Sequence, residues 1–81
     1  MEYDSKIFLK ILQAISDKEI YQYEIGSITF DHVKYLLDGK VYFIAETIKD
    51  ETEEKIVWII PKLLLPVGRK YLKELKEKYQ S

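Results

Sequence analysis

The spacing of apolar residues predicts a helix near the start of the chain. Asp4 can cap this helix, and Tyr3 can pack on Phe8 as a hydrophobic staple. Leu9 lies off the apolar stripe, so it is either a single exposed leucine or part of a contact surface. The stripe itself consists of Ile7, Phe8, Ile11, Leu12, Ala14 and Ile15.

The pattern then changes to the period of a strand and back to that of a helix. In the segment EIYQYEIGS, residues 19–27, apolar and polar residues alternate, which is typical of a half-buried strand. A second helix follows, capped by Ser27 or Thr29, and Gly39 is suited to end it in the left-handed conformation. The apolar face of this helix comprises Phe30, Val33, Leu36 and Leu37.

Two strands are predicted next, at residues 41–49 and 55–62, because both segments are rich in β-branched and aromatic residues. The polar sequence DETEE, residues 50–54, forms the hairpin loop between them. The second strand is nearly all apolar, which favours a central position or one covered on both faces. Pro61 is expected near the end of that strand.

The final helix begins with two residues that disfavour helices. Pro66 is tolerated at the first helical position, because the N–H that it lacks would have no partner there. Gly68 costs about 1 kcal/mol relative to alanine inside a helix, yet it falls in the middle of the apolar stripe. We therefore expect Gly68 to mark a close approach of helix and sheet, the alternative being a frayed first turn. The stripe consists of Val67, Tyr71, Leu72, Leu75 and Tyr79.

These elements predict an α+β fold, with three helices and a small antiparallel sheet in the order α-β-α-β-β-α. The length of 81 residues suffices for one domain, residues 1–81. An apolar content of 47% argues against disorder and supplies a core for a domain of this size.

Two segments carry a resemblance to a known fold family. HVKYLLDGKVYFI, residues 32–44, resembles the recognition helix and the start of the wing in winged-helix proteins of bacteria and prophages. LLLPVGRKYLKEL, residues 63–75, resembles the exit from the wing into the last helix. More narrowly, the chain is similar to small domain-of-unknown-function families of the YjcQ type. The resemblance covers most of residues 5–79 and implies a winged-helix-like domain.

The chain departs from the DNA-binding form of that fold in two respects. A helix-turn-helix needs a helix before the recognition helix, and only residues 17–28 are available for it, as either a strand or a short helix. The hairpin loop is also acidic rather than basic. We expect the outer face of the second helix to present a mixed set, Asp31, His32, Lys34, Tyr35 and Asp38.

Positive charge is concentrated towards the C-terminus. The net charge is −1, whereas residues 66–81 carry five basic and two acidic side chains. Attraction to a polyanion therefore has to come from the last helix. The candidate contacts to DNA or to a partner are His32, Lys34, Tyr35, Arg69, Lys70 and Lys73.

The sequence predicts no catalytic residue, no metal site and no cofactor. It contains a single histidine and no cysteine, and its three glycines form no phosphate-binding loop. No signal peptide and no apolar run of membrane-spanning length is evident. We therefore expect a cytoplasmic protein without a membrane or small-molecule partner.

The expected function is a non-catalytic interaction module of winged-helix type that binds a protein partner or itself, for example as a homodimer. The alternative is a DNA-binding transcriptional regulator of weak or partner-assisted affinity. Charge separates the two, because DNA affinity depends on Lys and Arg meeting phosphates. An exposed apolar patch would favour a protein partner. Its candidate contributors are Leu9, Tyr35, Tyr42 and part of Leu63–Leu65.

Overall fold

The computed structural model describes residues 2–39 and 41–80, so Met1, Lys40 and Ser81 of the predicted domain lie outside the described residues. Within this part of the chain the fold is α+β, as predicted, with three helices and three strands. The elements are α1 (Ser5–Ser16), β1 (Tyr23–Glu24), α2 (Ile28–Asp38), β2 (Phe43–Lys49), β3 (Ile56–Leu64) and α3 (Pro66–Gln80).

The sheet is antiparallel, with β3 between β1 and β2. This confirms the central position predicted from the apolar sequence of the strand. β1 is much shorter than the alternating segment suggests, since only Tyr23 and Glu24 pair with β3. Tyr21 continues the alternation in sequence but lies outside the ladder, and half of its surface is exposed.

The connection from α1 to α2 contains turns and β1 rather than a further helix. This answers the question left open for residues 17–28, and no helix-turn-helix pair forms in the described chain. α1 ends with Lys18 in the left-handed conformation, at φ 60°. The Glu19 N–H bonds to the Ala14 carbonyl and the Lys18 N–H to that of Ile15, each at 3.0 Å. These bonds form a Schellman cap, in which glycine usually takes the left-handed position.

The helix starts follow the predicted local signals. Asp4 caps α1 by accepting a hydrogen bond from the Lys6 N–H at 2.9 Å, and the rings of Tyr3 and Phe8 stack with centroids 5.9 Å apart. Ser27 caps α2 by accepting from the Phe30 N–H at 3.0 Å.

The predicted left-handed conformation of Gly39 is wrong. Gly39 ends α2 with φ −69° and ψ −20°, which is ordinary right-handed backbone. Its N–H still bonds to the last carbonyls of the helix, those of Tyr35 and Leu36. The chain therefore leaves α2 without the reversal that a left-handed cap would impose.

One connected core joins all three helices to β2 and β3. Most members of the predicted helical stripes contribute to it, but Val67 does not, because it is 48% exposed. On the strands, alternate side chains face away from the core. Its buried members are Phe8, Ile11, Leu12, Ile15, Phe30, Val33, Leu36, Phe43, Ile59, Leu64, Leu72 and Leu75.

Gly68 lies where α3 meets the sheet, as predicted from its place on the apolar stripe. A Cβ atom at this position would lie 2.0 Å from the Tyr42 carbonyl oxygen and 2.7 Å from Cδ1 of Leu64. The same Tyr42 carbonyl accepts a hydrogen bond from the Leu65 N–H at 2.9 Å. The start of α3 is thus held against the residue before β2, and only glycine fits there.

Candidate protein-interaction surface

His32 is buried, so its predicted place on the outer face of α2 is wrong. Only 1% of its surface is exposed. Its Nε2 accepts a hydrogen bond from the Asp4 N–H at 2.8 Å, and its Nδ1 lies 2.7 Å from the Ile28 carbonyl. Because Nε2 accepts, the ring proton is on Nδ1 and is donated to Ile28. His32 therefore ties the start of α1 to α2 and is not a contact residue.

Tyr35, one turn further along α2, belongs to an aromatic row on the protein surface. Its ring centroid lies 4.2 Å from that of Tyr3 and 5.6 Å from that of Phe8. The row continues from Phe8 to Tyr71 at 6.4 Å and from Tyr71 to Tyr42 at 5.3 Å. We call Tyr3, Tyr35, Tyr42 and Tyr71 the tyrosine surface.

The tyrosine surface is open to solvent at one end and partly covered at the other. Tyr35 is 51% exposed and Tyr3 42%, while Tyr42 and Tyr71 are half-buried. Burial, with smaller effects of Tyr42 and Tyr35, raises the pKa of Tyr71. Among the described residues, none forms a hydrogen bond with the hydroxyl groups of these four tyrosines. The hydroxyls are therefore free to bond to a partner.

The tyrosine surface is supported from beneath by buried aromatic rings. His32 contacts Tyr3 edge-on, with centroids 5.2 Å apart, and lies 5.1 Å from Phe8. Because both supporting rings are buried, the exposed tyrosines rest on a fixed base.

One lysine on α2 and one at the end of the hairpin loop form ion pairs with carboxylates. Lys34 forms an ion pair with Asp38 at 3.0 Å, one turn along the same helix. Lys55 pairs with Glu53 in the hairpin loop at 2.8 Å. Such exposed pairs contribute little to stability, but they reduce the positive charge that either element presents.

Asp50 organises the hairpin loop by hydrogen bonds within it. Its Oδ1 accepts hydrogen bonds from the hydroxyl and the N–H of Thr52, at 2.7 and 2.8 Å. These bonds hold the pKa of Asp50 below its usual value. In the described part of the chain, no group of three or more His, Asp or Glu side chains could hold a metal ion.

The three candidate contact residues on α3, Arg69, Lys70 and Lys73, are exposed but lie in different places on the surface. Lys70 lines a small cleft of about 230 Å³ beside Tyr42 and Tyr71, at the border of the tyrosine surface. Arg69 lines a separate cleft next to β3. Lys73 lines neither of them. The six residues singled out in the sequence therefore do not form a single site.

The apolar candidates are also divided among several places. Leu9 is half-buried and lines a groove of about 820 Å³ between α1 and the β1–α2 segment, which accounts for its position off the stripe. Tyr35 and Tyr42 belong to the tyrosine surface. Leu64 is in the core, whereas Leu63 is half exposed on the opposite face of β3, across from Ile44.

Sequence reasoning included Tyr35 and Tyr42 as contact residues but did not connect them. The sequence indicates Tyr3 only as a staple and Tyr71 only as part of the α3 stripe. The available signal was compositional, namely seven tyrosines in 81 residues. Their assembly depends on the packing of α1 between α2 and α3, which no local pattern reveals.

In the described part of the chain, no helix has both the length and the apolar character needed to cross a membrane. Comparisons of the chain with models of protein families, with curated proteins and with solved structures found no match. The resemblance to winged-helix proteins of the YjcQ type therefore stays a prediction, and the fold that the structure shows is a small α+β domain.

Proposed function

We propose that this protein is a non-catalytic interaction module whose tyrosine surface binds a protein partner. The observation that carries the proposal is the pair of half-exposed rings Tyr3 and Tyr35, which the buried ring of Phe8 links to the second pair, Tyr71 and Tyr42. Tyrosine is enriched in the energetically dominant parts of protein interfaces. A cluster of four is therefore a strong candidate for such a contact.

The physical reason is the low cost of ordering these side chains. Tyrosine presents a large apolar ring and a hydroxyl with only two side-chain torsions, so little conformational entropy is lost on binding. The buried rings of Phe8 and His32 beneath the surface restrict the exposed ones further. Such preorganisation lowers the cost of association.

DNA binding by a regulator is the competing function, and the charges give it less support. Two of the lysines that would face a duplex, Lys34 and Lys55, are paired with carboxylates. The hairpin loop adds exposed acidic side chains at the place where a wing would meet phosphates. Repulsion there would offset much of the attraction supplied by the lysines of α3.

The test compares two tyrosines of equal exposure. Tyr35 is 51% exposed within the row, and Tyr21 is 49% exposed away from it. We expect Tyr35→Ala to abolish recovery of a partner that the wild-type protein and the Tyr21→Ala variant both recover. Partners are identified by chemical crosslinking and mass spectrometry, and circular dichroism verifies that each variant is folded.

Self-association is measured on the same three proteins by analytical ultracentrifugation. A dimer that Tyr35→Ala dissociates and Tyr21→Ala leaves intact would identify the partner as a second copy of the chain. Equal behaviour of the two variants in both experiments would refute the tyrosine surface as the binding site.

A further inference from the structure

A second surface feature lies beside the second half of β3, on the side away from β2, where no described strand pairs with it. We call it the β3 cleft. It has a volume of about 470 Å³, and its walls are the end of α1, the loop that follows and the start of α3. None of its lining residues belongs to the tyrosine surface. Its lining includes Lys18, Ile20, Pro61, Lys62, Leu63 and Arg69.

No strand pairs with the second half of β3 along this cleft, although Pro61 itself is buried. β1 pairs with β3 only at Trp58 and Ile59, and one further bond joins the Ile25 N–H to the Val57 carbonyl at 2.9 Å. Backbone groups of successive strand residues alternate in direction, so Pro61 presents its carbonyl to the same side as Val57. In the described chain, no backbone hydrogen bond joins the preceding loop, residues 17–22, to β3.

Proline is tolerated in a strand where no neighbouring strand needs its N–H, and Pro61 occupies such a position. It has no N–H, so the open edge loses a donor at that residue while it keeps the carbonyl acceptor. The absent donor limits edge-to-edge pairing with a second β3 strand. A peptide strand can still donate an N–H to the Pro61 carbonyl, but its own carbonyl at that position finds no donor on Pro61.

The charge of the β3 cleft differs from that of the whole molecule. Three basic residues, Lys18, Lys62 and Arg69, line it together with the single acid Glu19, although the chain has a net charge of −1. Lys62 forms a long ion pair with Glu46 of β2, at 3.9 Å. Neither Lys18 nor Arg69 forms an ion pair with any described residue.

Two apolar side chains complete the lining. Ile20 is 72% exposed and Leu63 51% exposed, so the cleft offers apolar contacts beside its cations. An extended peptide with alternating acidic and apolar residues would present each class of side chain on its own face.

We propose that the β3 cleft binds an extended acidic peptide, which adds a strand to the open edge of β3. The peptide N–H bonds to the Pro61 carbonyl, its carboxylates meet Lys18, Lys62 and Arg69, and its apolar residues contact Ile20 and Leu63. Recognition by strand addition combines main-chain hydrogen bonds with side-chain specificity. This site is separate from the tyrosine surface and does not depend on the function proposed for it.

The experiment measures fluorescence polarisation of a labelled peptide that alternates glutamate with valine. We expect Lys62→Glu and Arg69→Glu each to weaken binding on the order of tenfold. Both side chains are exposed, so the fold tolerates the changes. Lys73→Glu is the matched control, because it alters the net charge equally on an exposed part of α3 outside the cleft.

Two further probes separate strand addition from simple attraction of charge. A peptide with lysine in place of glutamate, and one with alternate backbone nitrogens methylated, are both expected not to bind. Binding of the methylated peptide at full strength, or displacement of the parent peptide by inorganic phosphate alone, would refute strand addition. Weakening by Lys73→Glu equal to that by the cleft variants would refute the site.

Discussion

His32 shows how one side chain can hold two helices together. It forms two hydrogen bonds in a site from which water is excluded, one to the residue that caps α1 and one within α2. Loss of the imidazole would leave the Asp4 N–H and the Ile28 carbonyl without this partner. The base of the tyrosine surface would be disturbed as well, because the imidazole contacts Tyr3.

We expect His32→Leu to lower the free energy of unfolding by about 1–3 kcal/mol, the cost of leaving buried polar groups unsatisfied. Lys34→Ala, an exposed change on the same helix, is expected to stay within about 0.5 kcal/mol. Urea denaturation of the two variants measures the difference. In the wild-type protein, nitrogen NMR should show the ring proton on Nδ1, and a proton found on Nε2 would contradict the hydrogen-bond assignment.

Lys18 is a residue at which stability and binding are expected to conflict. A side chain at φ 60° is unfavourable by roughly 1–2 kcal/mol relative to ordinary helical backbone, a cost that glycine avoids. The same lysine lines the β3 cleft.

Lys18→Gly should therefore raise the free energy of unfolding by up to about 1 kcal/mol, while weakening the binding of the acidic peptide. Asp17→Gly is the control, because Asp17 has an ordinary φ of −81° and glycine there is expected to destabilise. Thermal denaturation and polarisation titrations give the two readouts. A destabilised Lys18→Gly protein would show that the left-handed conformation carries no strain.

At the scale of elements, the start of α3 lies in close contact with Tyr42, the residue before β2. Gly68→Ala would normally favour a helix by roughly 1 kcal/mol. Here the new Cβ would lie 2.0 Å from the Tyr42 carbonyl oxygen, a backbone atom that cannot move without displacing β2. We expect the sign to reverse, with a loss of about 1–3 kcal/mol typical of overpacking.

Chemical denaturation measures this change against Lys73→Ala, made at an exposed position of α3. The control is expected to stay within about 0.5 kcal/mol of the wild type. Gly68→Leu should be more severe than Gly68→Ala. An alanine variant at least as stable as the wild type would mean that α3 does not approach the sheet closely.

The elements that the sequence predicts well are those with local signals at their ends. Asp4 and Ser27 cap α1 and α2 by hydrogen bonds to residues two and three positions ahead, and Pro66 is the first residue of α3. The extent of β1 has no such local signal. Whether Tyr21 pairs depends on β3, which is distant in sequence. The burial of His32 depends on Asp4, 28 positions away. The tyrosine surface and the β3 cleft likewise require elements distant in sequence.

At the scale of the whole molecule, charge distribution decides which macromolecules can bind. The chain carries 13 basic and 14 acidic side chains, and the excess of positive charge lies on α3. Lys70 and Lys73 are exposed there without an ion pair to any described residue. Among the helices and strands, α3 therefore offers the strongest electrostatic attraction to DNA.

We expect duplex DNA to bind weakly at physiological salt. The logarithm of affinity should fall with a shallow slope against the logarithm of salt concentration, because each phosphate contact adds only about −0.9 to that slope and few form. Changing Lys70→Glu together with Lys73→Glu should abolish the remaining binding, whereas Lys34→Glu should change little because Lys34 is paired with Asp38. Salt-dependent titrations of a labelled duplex measure all three proteins. Tight binding that survives the double change but is lost in Lys34→Glu would place the contact on α2 and make a DNA-binding regulator the better description.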